Sequence, residues 1–114
     1  MNDKYLHRLK VLLRQARPNL SNTHQLAFKN VFAAVGGYVR GRIFISCGKF
    51  GVALRLPPKV LEIIFKEKGV KHLKYFPKGH IKKEYAVLSK RILEDKKQFK
   101  KIVEESIKYA SSQK

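Results

Sequence analysis

Cysteine is all but missing from this chain: Cys47 stands alone, which excludes a disulfide framework. Tryptophan is absent and acids are scarce, with 8 Asp+Glu against 26 Lys+Arg. No apolar run approaches the roughly 18–20 residues that a membrane-spanning helix needs. The first stretch, MNDKYLHRLKVLLRQARP, interleaves charges with its leucines and lacks the unbroken apolar segment of a signal peptide. These absences predict a soluble, cytoplasmic protein that makes no contact with a membrane. What is present suffices for a core. Apolar residues make up 44% of 114 and occur throughout, which argues against disorder. The length suits one domain over 1–114, able to bury about two-thirds of its unfolded surface.

The formal net charge is +18, and it is evenly spread. Residues 1–57 hold 10 Lys+Arg and one acid, Asp3, while 58–114 hold 16 Lys+Arg and 7 acids, so each half carries +9. A surplus of this size is the first mark of a nucleic-acid binder, because each phosphate neutralised releases condensed counterions. It is equally the mark of a solubilising surface. Composition alone does not separate the two.

Periodicity places the elements. Leu6, Leu9, Leu13 and Ala16 draw one stripe of a helix over 4–17, stopped by Pro18 and followed by a loop, PNLSNTH. From Gln25 to Leu56 the residues turn β-branched and aromatic, punctuated by glycine. This predicts antiparallel strands at 27–39, 42–47 and 50–56, with turns at Arg40-Gly41 and Gly48-Lys49. Gly36-Gly37 within the first strand predicts a bulge or a sharp bend. Pro57-Pro58 opens a helix over 58–68 that Gly69 closes, with Val60, Leu61, Ile64 and Phe65 inward. Strands at 70–76 and 81–88 flank the turn Pro77-Lys78-Gly79-His80. A last helix, capped by Ser89 or Asp95, turns Phe99, Ile102, Val103, Ser106 and Ala110 inward before Ser111–Lys114 frays. The order makes an α+β domain, two-layer α-β(3)-α-β(2)-α, with an antiparallel five-stranded sheet.

Catalytic chemistry finds little support. His7, His24, His72 and His80 are scattered, and none pairs with Cys47 at a metal-ligand spacing. Glu94-Asp95 and Glu104-Glu105 sit among lysines of the last helix, where charge balance explains them. Gly36-Gly37 opens no helix and so makes no phosphate loop, and Ser46 lies in no G-x-S-x-G elbow. No enzyme, metal or cofactor is predicted. Aromatics among cations are the better lead. Lys74-Tyr75-Phe76-Pro77-Lys78-Gly79-His80-Ile81-Lys82-Lys83 sets four lysines around two rings and a turn, and Arg40 and Arg42 flank another turn after Tyr38. Cations at loop tips beside a stacking ring suit a single strand or a phosphate backbone. The plainer alternative is that Tyr75 and Phe76 alternate along a strand, one ring to the core and one to the outer face.

These residues carry a resemblance. The stretch NVFAAVGGYVRGRIFISCGKFGVALRL is similar to the core of the TfoX/Sxy N-terminal domain, through Phe32, Gly36-Gly37, Tyr38, Arg40-Gly41-Arg42, Phe44 and Val52 to Leu56. FPKGHIKKEYAVLSKRILED resembles the second half of that family at Phe76, Pro77, Lys78, Gly79 and Tyr85. Arg40 stands where the family's first hairpin turn is usually acidic, and two extra residues separate Phe32 from the glycine pair. The resemblance implies an α-β(3)-α-β(2)-α fold and a non-enzymatic part in regulation of the kind that controls natural competence. It also implies a stand-alone version of a domain that in the regulators proper is followed by a second. The expected function is binding, with Arg40, Arg42, Lys74, Lys78, Lys82 and Lys83 as contacts to DNA or RNA phosphates. The alternative is a protein–protein interaction module whose charge aids only solubility and encounter.

Overall fold

The computed structural model describes residues 2–16, 26–76 and 78–112. The first helix, α1 (Asp3–Ala16), starts at Asn2, whose Oδ1 accepts from the amides of Lys4 at 3.0 Å and Tyr5 at 3.2 Å. Its predicted stripe is inward: Leu9, Leu13 and Ala16 are buried. The loop expected over 18–24, the turn residue Pro77 and the frayed residues 113–114 lie outside the described residues.

Four strands follow in a meander: β1 (Leu26–Val31), β2 (Ala34–Val39), β3 (Arg42–Gly48) and β4 (Gly51–Arg55). The single strand expected over 27–39 is therefore a hairpin, and the sheet has six strands where five were expected. Its turn, Phe32-Ala33, carries no Gly, Asn or Pro. Phe32 itself takes the positive φ of 54° that such residues normally supply. The next turn is conventional: Arg40 and Gly41 are both at positive φ, 52° and 77°, the type I′ pattern of a two-residue hairpin loop. Gly37 pairs with Ile45 but Tyr38 with Ile43, so Phe44 is an extra residue: the bulge lies in β3, facing the step from Gly37 to Tyr38, across the ladder from the glycine pair where it was expected. The bulge lets Phe44 and Ile45, adjacent in sequence, both enter the helix-side core.

After β4 come α2 (Pro58–Ile64), β5 (Lys71–Leu73) and β6 (Lys82–Val87). The helix is shorter than the 58–68 expected, and turns carry the chain from Ile64 to Gly69 at φ 86°. β5 spans three residues where 70–76 was expected, because its register with β6 slips after His72 and Tyr75-Phe76 leave the ladder. β6 inserts between β4 and β5, giving an antiparallel sheet of order β1-β2-β3-β4-β6-β5. The last helix is two. Ser89 Oγ accepts from Ile92 N at 3.3 Å and caps α3 (Lys90–Glu94), and Asp95, at ψ 97°, breaks the chain. Asp95 Oδ1 then accepts from Gln98 N at 3.1 Å and caps α4 (Lys96–Ser112), which stays helical through Ser112. Both candidate caps are used.

Each helix among the described residues puts side chains into one core with the sheet's inner face: Leu9 and Leu13 from α1, Leu61 and Ile64 from α2, Ile92 from α3, and Phe99 and Val103 from α4. A hydroxyl buried in it, Ser106 Oγ, lies 2.7 Å from the Phe44 carbonyl and 2.6 Å from that of Arg55. With a single proton it donates to one at a time, and it ties α4 to the bulge and to the end of β4. At the rim, Arg55 Nε donates to Glu84 Oε2 at 2.9 Å, while Tyr109 Oη donates to Glu84 Oε1 at 3.0 Å. The α+β architecture holds, as a two-layer α-β(4)-α-β(2)-α-α domain. Among the described residues no helix is long and apolar enough to cross a membrane.

Candidate nucleic-acid interface

The site is built on the outer face of the sheet and reaches round its end to the start of α1. Ser46 alternates along β3 with Ile45 and Cys47, which belong to the helix-side core, so Ser46 faces the other way. Ala53 and Val87, successive partners across β4 and β6, share that outer face with Leu73, and Phe50, Tyr75 and Tyr85 pack on them. This second, smaller core takes in Tyr75, just beyond the point where the chain after β5 leaves its ladder. Tyr75 crosses the face, donating its hydroxyl to Ser46 Oγ at 3.4 Å and meeting Phe50 edge-on, with centroids 5.5 Å apart.

Tyr75 and Phe76 then meet the far edge of the sheet. The Phe32 ring, at the β1–β2 turn, lies 5.1 Å from Tyr75 and 5.4 Å from Phe76, tilted 51° and 72° to them. Phe32 is 63% exposed and Phe76 50%. Three rings thus form a shelf with an anchored inner member and two open outer ones. Neither Tyr75 nor Phe76 enters the main core, so the strand alternation weighed from sequence does not occur. Burial raises the Tyr75 phenol's pKa above its ordinary value, partly offset by the Ser46 hydrogen bond, and burial first of all raises that of Tyr85 as well. Both stay protonated at neutral pH and act here as packing and hydrogen-bonding groups.

Cations surround the shelf. Lys82 Nζ stands 6.0 Å from the Phe32 ring centroid. A cleft of about 440 Å³ opens beside the rings, lined by Lys74, Lys49, Phe50 and Tyr75 together with Tyr5 of α1. A second recess of about 180 Å³ runs between Phe32 and Phe76, bordered by His80 and Lys82. Among the described residues no Asp or Glu lines either hollow.

The six cations singled out from sequence fall into two groups. Lys74 and Lys82 border the shelf, and Lys78 and Lys83 are exposed on the same segment. Arg40 and Arg42 belong to the β2–β3 turn, at the end of the meander opposite the β1–β2 and β3–β4 turns that hold Phe32 and Phe50. Sequence reasoning did not find Phe32, Phe50 and Lys49 as site residues. Phe32 was unreadable because nothing marks its turn, and the other two are brought in by the crossing of Tyr75.

The remaining reactive groups are unassembled. Cys47 is buried; desolvation raises its pKa and Arg8 opposes this only in part, so it remains a thiol rather than a nucleophilic thiolate. Among the described residues no three His, Cys, Asp or Glu side chains gather where they could hold a metal ion. Compared with known proteins, the chain matches no family model, no curated protein and no solved structure.

Proposed function

We propose that this is a non-enzymatic binding domain of the TfoX N-terminal type, acting in regulation by engaging nucleic-acid phosphates through its basic surface. The observation that carries the reading is the convergence of Lys49, Lys74 and Lys82 around hollows that no carboxylate among the described residues lines. In a protein of charge +18, lysines so placed meet little local competition and are available to phosphate oxygens. Resemblance to the competence regulators supports the regulatory half of the reading, and the mixed α+β order is consistent with it.

Fluorescence anisotropy of a labelled duplex, titrated at several salt concentrations, tests the proposal. If Arg40, Arg42, Lys74, Lys78, Lys82 and Lys83 all engage phosphates, the log–log salt slope is about −5, and if only the four lysines of the 74–83 segment do, about −3.5. No binding at low ionic strength, or binding indifferent to salt, refutes it. A second reading, a protein–protein interaction module, rests on Ile63. It is 66% exposed and lines a hollow between α2 and α4 with Val60, Ile102, Glu67 and Glu105. A partner retained after nuclease treatment and lost in Ile63→Glu favours that reading.

A further inference from the structure

We infer that the Phe32–Tyr75–Phe76 shelf is a stacking platform for unpaired bases, and that the protein therefore binds single-stranded nucleic acid in preference to duplex. The inference rests on the phosphate-binding reading and names its substrate class.

Three independent features point to it. The first is conformational. Phe32 holds a φ of 54° at the tip of a two-residue hairpin, a place that Gly or Asn fills without strain and an aromatic residue does not. The strain fixes a ring at the apex of the turn and leaves it 63% exposed, so burial does not explain the residue. The second is mechanical. Phe32 rests on Tyr75, which is held by Ser46 and Phe50, and Phe76 meets Phe32 edge-on, so the platform is set before a ligand arrives. The 72° tilt between Phe32 and Phe76 leaves the faces of these two outer rings unstacked on one another.

The third is electrostatic, and it selects the ligand. An exposed aromatic patch alone would suit an apolar partner. This one has Lys82 at its Phe32 edge, Lys74 and Lys49 along the 440 Å³ cleft, His80 in the smaller recess, and, among the described residues, no carboxylate in either lining. Flat apolar rings with flanking cations complement a chain of planar bases on a polyanionic backbone. In a duplex the base faces are already stacked on one another, and only phosphates could reach this surface. A single strand offers both, which gives it the preference.

The test compares one labelled oligonucleotide, single-stranded and annealed to its complement, at the same salt. The expected result is that the single strand binds at least fivefold tighter than the duplex. Phe32→Leu and Phe76→Leu each weaken single-strand binding by roughly 5- to 100-fold, the loss of about one stacked base, with duplex binding changed less than twofold. A direct reporter comes from the absence of tryptophan in the chain. Phe32→Trp and, separately, Phe76→Trp each place one indole on the shelf, and its emission is quenched by the single strand but not by the duplex. Equal affinity for both forms, or leucine variants that bind the single strand as wild type, overturns the stacking inference and leaves salt-dependent phosphate binding standing. An unquenched indole in a Trp variant that still binds the single strand overturns it as well. Failure to bind either form overturns both.

Discussion

The turn at Phe32 separates strain from contact in a single pair of substitutions. Phe32→Ala removes the ring but keeps a Cβ at positive φ, whereas Phe32→Gly removes the ring and the Cβ together. Both lose the ring's contacts with Tyr75 and Phe76, worth about 0.5–1.5 kcal/mol for each aromatic pair and nearer the lower figure for a ring this exposed. Only glycine relieves the left-handed backbone, which costs an L-residue roughly 1–2 kcal/mol. Against this, glycine loses about 0.4–1 kcal/mol through the greater freedom of the unfolded chain. Phe32→Gly should therefore be more stable than Phe32→Ala by about 0.5–1 kcal/mol, reversing the usual order of these residues in a strand. Urea denaturation followed by far-UV circular dichroism reads the difference, provided the two slopes agree, so that midpoints compare stability alone. If alanine equals or exceeds glycine, the turn is not strained at Phe32 and the argument for a ring displayed at a conformational cost collapses.

Two further outcomes follow from the core and its rim. Ser106→Ala takes a side-chain partner from the facing carbonyls of Phe44 and Arg55 and should cost about 1–3 kcal/mol, read as a lower denaturation midpoint; a neutral change would mean that water replaces the hydroxyl. Burial raises the Glu84 pKa, but hydrogen bonds from Arg55 and Tyr109 outweigh it and leave the carboxyl below its ordinary value. A group depressed in the folded state stabilises above its unfolded pKa and loses that contribution as pH falls through the folded one. The acid limb of a stability–pH profile should thus be shallower in Glu84→Gln than in wild type, and parallel limbs would exclude this carboxylate as a source of acid sensitivity.

Helices and strands with ordinary signals were legible in the sequence. The stripe of α1, the Arg40-Gly41 turn and the inward face of α4 all follow from periodicity and glycine placement. The first hairpin was not legible, because Val31-Phe32-Ala33-Ala34 reads as uninterrupted strand and the turn is imposed by register on both sides. The split of the last helix was half legible: Ser89 and Asp95 are both good caps, and one pattern of apolar spacing runs through both α3 and α4. The site was legible as composition and illegible as geometry. Lys74, Tyr75, Phe76 and Lys82 lie within one stretch of nine residues, but their meeting with Phe32 depends on a crossing of the sheet that the packing of Leu73, Ala53 and Val87 supports.

The insertion of β6 between β4 and β5 sets a sequence of events in time. β1 to β4 pair with immediate neighbours through two-residue turns, so their ladder closes short loops and can assemble early. β6 reaches β4 only after α2 and β5 have been looped out, as Arg55 pairs with Tyr85, and that closure carries a larger entropic penalty. Docking of the β5–β6 pair is then the late step, and amides of β6 should exchange with solvent sooner than those of β3. The aromatic shelf, which needs Phe32 from the early ladder and Tyr75-Phe76 from the late hairpin, comes into being only when that step is complete.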